Sequence, residues 1–215
     1  MPNTNLSTQK TCPQALPGFT HINRYWDKTR LLATAKILPG EYYVTNSAET
    51  IVTVLGSCIS ACIRDPINQV GGMNHFMLPE SHDMSGKWTD SDLGEATRYG
   101  TYAMEHMIND ILKYGGKKKN LEVKIVGGGQ IIRGMTDVGK KNIAFIQHFL
   151  HAEGLTIAGK DLGDIYPRKV MYHADSGRLQ VKRLRSLHND TILEREQRYK
   201  NKIEHEPQSG EIDLF

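Results

Sequence analysis

No stretch of the chain is apolar for long enough to cross a bilayer, and the opening MPNTNLSTQKTCPQALPG has no hydrophobic heart of the kind a signal peptide needs. The sequence therefore predicts a cytoplasmic protein with no membrane insertion. Cysteine is scarce: Cys12, Cys58 and Cys62 are the three in 215 residues. An odd number cannot all pair within one chain, and a reducing compartment keeps thiols free, so no disulfide framework is expected. Charge of one sign is lacking too. The 27 Lys and Arg lie among 24 Asp and Glu, giving a net +3 without a basic stripe flanked by aromatic residues, which argues against nucleic-acid binding. No internal repeat is visible. What is present, 39% hydrophobic and 24% charged residues, suits a globular domain with one sizeable core.

Composition divides the chain in three. Residues 1–32 read as a mobile leader, polar and proline-bearing through its first 18 positions. Residues 33–185 carry the patterned core. AKILPGEYYVT and ETIVTVLG are short β-branched and aromatic runs punctuated by Pro-Gly, which is strand chemistry. From Asp90 or Ser91, either able to cap, Leu93, Ala96, Tyr99, Ala103, Met107, Ile111 and Tyr114 fall near helical spacing up to a stop at Gly115. LEVKIVGGG reads as a buried strand, TDVGKKNIAFIQHFLHAEG as a second helix ending at Gly154, LTIAGKDLG as a strand, and RKVMYHADSGRLQVKRL as a hairpin about Asp-Ser-Gly. Strands interrupted by two helices predict an α/β fold with helices covering a mixed sheet. Residues 186–215 are dominated by charge and read as a solvated or weakly helical tail.

The chemistry concentrates in TVLGSCISACIRDPINQVGGMNHFMLP, residues 53–79. Asp65-Pro66 interrupts the run, so its two halves form an antiparallel hairpin. A loop closed around Pro66 and Ile67 sets Cys58 opposite His75. A loop over residues 66–69 sets Cys58 opposite Met77 and diagonal to His75. Either register puts thiol and imidazole on one face. That is the arrangement of an activated nucleophile, in which the imidazole accepts the thiol proton. Gly56 and Ser57 let the backbone turn tightly before Cys58 and bring amides near a developing oxyanion. From spacing alone, a packed cysteine and a structural histidine remain the simpler account.

Other features carry less. Cys62 shares the parity of Cys58 without the preceding glycine turn and reads as packing. Cys58, Cys62 and His75 lack a fourth ligand and a second matching cysteine pair, so no metal is expected. GGGQIIRG, residues 127–134, lacks the Gly-Lys-Ser/Thr ending of a phosphate loop and reads as a tight turn or groove floor. Met104 and Met107 sit at core spacing, and the lysines at 117–119 suit a solvated turn.

LGSCISACIRDP followed by GGMNHFMLP closely resembles the CheD family of chemoreceptor glutamine deamidases. ILPGEYYVT, VGKKN and DLGDIYPRKVMYHADSGRLQVKRL resemble its other blocks in the same order, over roughly Ala33 to Leu184. The resemblance implies a layered α/β/α sandwich with a mixed sheet, similar to the catalytic domain of deamidating bacterial toxins, and a Cys-His-Thr site. Cys58 and His75 match the first two roles; Thr53 is the best match for the threonine that orients the imidazole. It further implies hydrolysis of receptor glutamines to glutamate with no cofactor, a methylesterase side activity by the same acyl-enzyme chemistry, and as partners chemoreceptors and a CheC-type phosphatase. A module that merely docks on receptors or on that phosphatase is the rival reading. After DLG the family usually has a further glycine and a Gly-Arg pair where this chain has DIYPRK, so the loop at residues 164–168 departs from the pattern.

Overall fold

The computed structural model describes residues 11–79, 90–131, 138–185 and 190–205. Ten strands and three α-helices follow one another among them. β1 (Asn23–Asp27), β2 (Leu32–Lys36), β3 (Tyr42–Thr45), β4 (Glu49–Leu55), β5 (Ile59–Asp65) and β6 (Val70–Asn74) precede α1 (Asp90–Lys113). After them come β7 (Glu122–Gly127), α2 (Val138–Ala152), β8 (Ile157–Leu162), β9 (Arg168–His173), β10 (Leu179–Arg183) and α3 (Asp190–His205).

The strands make two mixed five-stranded sheets where the sequence suggested one. The first has the order β1-β2-β4-β9-β10, the second β3-β6-β5-β7-β8. Each is antiparallel except for one parallel pair, β2 with β4 and β7 with β8. The division was hidden because six of the seven residues in each of β4 and β5 are buried, so neither shows an alternating face that would assign it to a sheet. The chain leaves one sheet at Leu55 and enters the other at Ile59. Gly56, Ser57 and Cys58 are the crossing.

α1 packs on β3, β5 and β6, burying Ala96, Met104, Met107, Ile108 and Ile111, and α2 packs on β5 through Ile146, Phe149 and Leu150. Tyr42 Oη donates to Asp110 Oδ2 at 2.7 Å and ties α1 to β3. Both helices stop where expected: Gly115 has φ +105° and Gly154 φ +68°, left-handed conformations that cost glycine little. The proposed cap at Asp90 or Ser91 lies outside the described side chains.

The ends of the chain differ from their compositional reading. The 1–32 leader is too long, because β1 pairs with β2 and the segment before it is anchored. Phe19 and Ile22 are buried, and the Phe19 ring meets Tyr42 and Tyr43 edge-on at 5.4 and 5.5 Å. An edge strand such as NRYWD carries no continuous apolar run to announce it. The 186–215 tail contains α3, whose Glu196, Tyr199 and Ile203 are buried. Its apolar face is narrow and built around a carboxylate, so composition alone gave it to solvent.

Candidate active site

The hairpin takes the second of the two registers. Cys62 pairs with Met73 and Asp65 with Val70, and Ile59 exchanges both backbone hydrogen bonds with Phe76 at 2.9 and 3.0 Å. Continued by one position, that register sets Cys58 opposite Met77 with His75 diagonal. Asp65 fixes the loop, accepting from the amides of Ile67 and Asn68 (2.8 and 2.9 Å), from Asn68 Nδ2 (2.6 Å), from the Lys117 amide (2.8 Å) and from Asn120 Nδ2 (3.0 Å). Burial raises its pKa, yet these donors outweigh burial and hold the carboxyl well below the usual range.

His75 is held from both sides of its backbone by the Pro39-Gly40-Glu41 turn. Its amide donates to the Glu41 carbonyl at 2.9 Å, and its carbonyl accepts from the Gly40 amide at 2.8 Å. The ring reaches the other sheet, where Nδ1 lies 2.8 Å from Thr53 Oγ1 on β4. Thr53 Oγ1 also lies 2.9 Å from the Ile37 carbonyl. A carbonyl only accepts, so the single hydroxyl proton of Thr53 goes to Ile37, and its oxygen accepts from Nδ1–H. Nε2 is thereby the bare nitrogen, buried and without a partner among the described residues. A ring nitrogen of His75, Cys58 Sγ and a carboxylate oxygen of Glu196 all lie within 4.8 Å of one another. Thr53, Cys58 and His75 therefore come together from both sheets and the crossing between them.

Glu196, on α3, is the residue the sequence did not offer. Its Oε1 accepts from the amides of Gly56 (2.7 Å) and Cys58 (3.2 Å); its Oε2 accepts from the Ser57 amide (2.8 Å) and the Ser57 hydroxyl (2.6 Å). Three consecutive amides converge on one carboxylate, the geometry of an oxyanion-binding nest. The glycine is required: a Cβ on residue 56 would stand 2.7 and 2.8 Å from the two carboxylate oxygens. Thiol, imidazole and carboxylate are donor types zinc accepts, but both oxygens of Glu196 are already committed to N–H and O–H donors.

Burial and the adjacent Glu196 push the Cys58 thiol well above its ordinary value, and burial with the nearby positive Arg195 pushes His75 down to about 3. Thiol and imidazole are both neutral in this state, and the thiol is fully covered. Cys62 is likewise buried, which raises its pKa, with the Lys124 charge acting the other way. All three cysteines are free.

Two further elements brace the crossing. Asn142 of α2, fully buried, donates from Nδ2 to the Ser57 carbonyl at 2.9 Å and accepts at Oδ1 from the Leu78 amide at 2.9 Å. The glycine run lies beneath the thiol loop: the Gly128 amide donates to the Cys58 carbonyl (2.8 Å) and the Gly129 amide to the Gly56 carbonyl (2.9 Å). The first glycines of GGGQIIRG, expected as a tight turn or a groove floor, thus brace the crossing through their amides; its last residues lie outside the described ones. Beyond DLG, Asp164 adopts φ +68°, a left-handed position where a glycine would be unstrained.

Residues 77–183 match the family model described as CheD chemotactic sensory transduction, a span that opens just past His75. Relatives match far more of the chain. A protein of Halorhodospira halophila is 53% identical over 205 residues, 95% of each chain. One of Hahella chejuensis is 52% identical over 203 residues, 94% of this chain and 95% of its own. One of Methylobacillus flagellatus is 49% identical over 195 residues, 90% of this chain and 95% of its own. The chain belongs to the CheD family. Each of those three relatives carries the name "Probable chemoreceptor glutamine deamidase CheD". The runs that carry the resemblance map onto this geometry: LGSC contains the crossing, GGMNHFMLP has the imidazole at its centre, ILPGEYYVT supplies the turn that holds it, and VGKKN contributes Asn142. No helix among the described residues is long and apolar enough to cross a membrane.

Proposed function

We propose that this CheD chain deamidates glutamine side chains of chemoreceptors, with Cys58 as nucleophile, His75 as general base and acid, and Thr53 as the residue that positions His75. The observation that carries the reading is the hydrogen-bonded line Ile37 carbonyl, Thr53 hydroxyl, His75 Nδ1, which leaves Nε2 as the bare acceptor of a ring that has a nitrogen within 4.8 Å of the Cys58 sulfur. Cys58 S–H gives its proton to Nε2 as Sγ bonds to the carboxamide carbon, and the amide oxygen takes the negative charge in the nest of amides at Gly56–Cys58. His75 returns the proton to the nitrogen, the C–N bond breaks and ammonia leaves a thioester. Water, deprotonated by His75, then attacks the thioester; the C–S bond breaks, glutamate is released and the thiol regains its proton.

The same reading places the protein in the cytoplasm, where receptor signalling segments lie, assigns a layered α/β/α arrangement akin to deamidating toxin domains, and admits a CheC-type phosphatase as partner. The test is incubation with receptor cytoplasmic fragments and peptide mass spectrometry of each glutamine. Amide-to-acid conversion by the parent and none by Cys58→Ala is expected. Equal conversion by Cys58→Ala would overturn the assignment.

A further inference from the structure

A hydrolysed glutamine side chain is a glutamate side chain, and this chain holds one of its own in the cleft. Glu196, Tyr199 and Ile203 lie three and seven residues apart along one face of α3, and all three are buried. Glu196 enters the nest of amides. Tyr199 packs against Gly40, where a Cβ would stand 2.9 Å from its ring, and its hydroxyl hydrogen-bonds to that of Tyr99. Gly40 belongs to the turn that holds His75, so α3 covers both members of the thiol–imidazole pair.

We propose that α3 occupies the substrate cleft as a tethered product, with the Glu196 side chain standing where the carboxamide of a substrate glutamine stands, and that the protein rests in this covered state until the helix is displaced. The proposal rests on the deamidase reading above. Three features support it. The carboxylate is bound through the amides that an oxyanion would need, which a surface ion pair would not require. One of its oxygens lies within 4.8 Å of both Cys58 Sγ and a His75 ring nitrogen, which sets the carboxylate beside the thiol. The covered state is also chemically idle, since a negative charge beside Cys58 opposes the thiolate. Departure of α3 removes that charge and admits water, which restores the thiol and the imidazole toward their ordinary values.

The arrangement makes Glu196→Gln an intramolecular substrate. The amide oxygen takes the place of Oε1 between the Gly56 and Cys58 amides, and the NH2 group takes the place of Oε2, where the Ser57 hydroxyl turns from donor to acceptor and the Ser57 amide loses its acceptor. Cys58 S–H passes its proton to His75 as Sγ bonds to the side-chain carbon. The C–N bond breaks, ammonia leaves with that proton, and hydrolysis of the thioester writes Glu196 back into the chain and frees the thiol.

The experiment has two arms in the full-length protein. In the first, Glu196→Gln is purified with and without Cys58→Ala, and residue 196 is read by peptide mass spectrometry. Glutamate at position 196, formed at a rate independent of protein concentration and absent with Cys58→Ala, is expected. In the second, Cys58 alkylation by iodoacetamide is followed with Cys62 as internal standard. Glu196→Ala should raise Cys58 labelling by about tenfold or more, since even one charge-assisted hydrogen bond to the nest is worth that much in the covered population. Cys62 should remain slow, which also shows that the variant is folded. The proposal is overturned if Cys58 labels no faster in Glu196→Ala, or if the glutamine introduced by Glu196→Gln persists in a protein that converts receptor glutamines. Conversion of that introduced glutamine, with no conversion of receptor fragments by Glu196→Ala, would overturn the receptor assignment instead and leave the tethered ligand standing.

Discussion

Thr53 has one proton and two neighbours, and its position on a central strand decides which of them receives it. Thr53→Val keeps the branched shape but leaves both the Ile37 carbonyl and Nδ1–H without a partner. The expected turnover loss is on the order of 10- to 1,000-fold, about 1.4 to 4 kcal/mol of barrier, with receptor affinity little changed. Thr53→Ser, which retains the hydroxyl, should recover most of the rate; failure to recover it would show that shape and not the hydrogen bond matters. His75 offers a test by pH. Its folded pKa is depressed from 6.5 to about 3, so the unfolded chain takes up a proton that the folded one refuses. Stability from this group is complete above about pH 6.5 and is lost as pH falls toward 3, at up to about 1.4 kcal/mol per pH unit. Urea unfolding at pH 6.5 and 5 should therefore show a fall about 2 kcal/mol larger in the parent than in His75→Gln. An identical fall in both would mean that the imidazole is solvated. That Cys58 and His75 share a face was legible from strand parity; spacing alone favoured simple packing, and the family resemblance is what singled them out. Glu196 was not, because its partners are backbone amides 138 to 140 positions away.

Among the elements, the β5–β6 hairpin carries the geometry of the pair, and Asp65 carries the hairpin. The sequence left two registers open because both keep thiol and imidazole on one face. The structure resolves them through the loop over residues 66–69, which Asp65 gathers with five donors. Asp65→Ala should destabilise the protein by roughly 2 to 4 kcal/mol, since a buried carboxylate that gathers five part-buried hydrogen bonds is removed at once. A shift in the urea midpoint worth less than about 0.5 kcal/mol would show that the strands set the register unaided. Both long helices were readable from 3.6-residue spacing and their glycine stops. α3 was not, since an amphipathic face whose central residue is a carboxylate looks like any solvated helix until the nest that receives it is known. β1 escaped for a related reason: an edge strand with one half-exposed face has no continuous apolar run.

Across the whole molecule, the site exists where two sheets exchange the chain. Thr53 belongs to the first sheet, His75 follows a strand of the second, and Cys58 is one of the three residues between β4 and β5. The three side chains come from different elements, and most of the individual strands were readable although their division into two sheets was not. α3 then binds the crossing from outside the patterned region through Glu196, joining the last described part of the chain to residues 56–58. The measurement that bears most directly on this chemistry is peptide mapping of an acid-quenched reaction between Glu196→Ala and receptor cytoplasmic fragments, following Cys58 and the receptor glutamines together. Receptor glutamate is expected to form through a receptor-derived thioester on Cys58, with neither species formed by the Cys58→Ala, Glu196→Ala double variant. Receptor glutamate accumulating at the same rate in that double variant would contradict it.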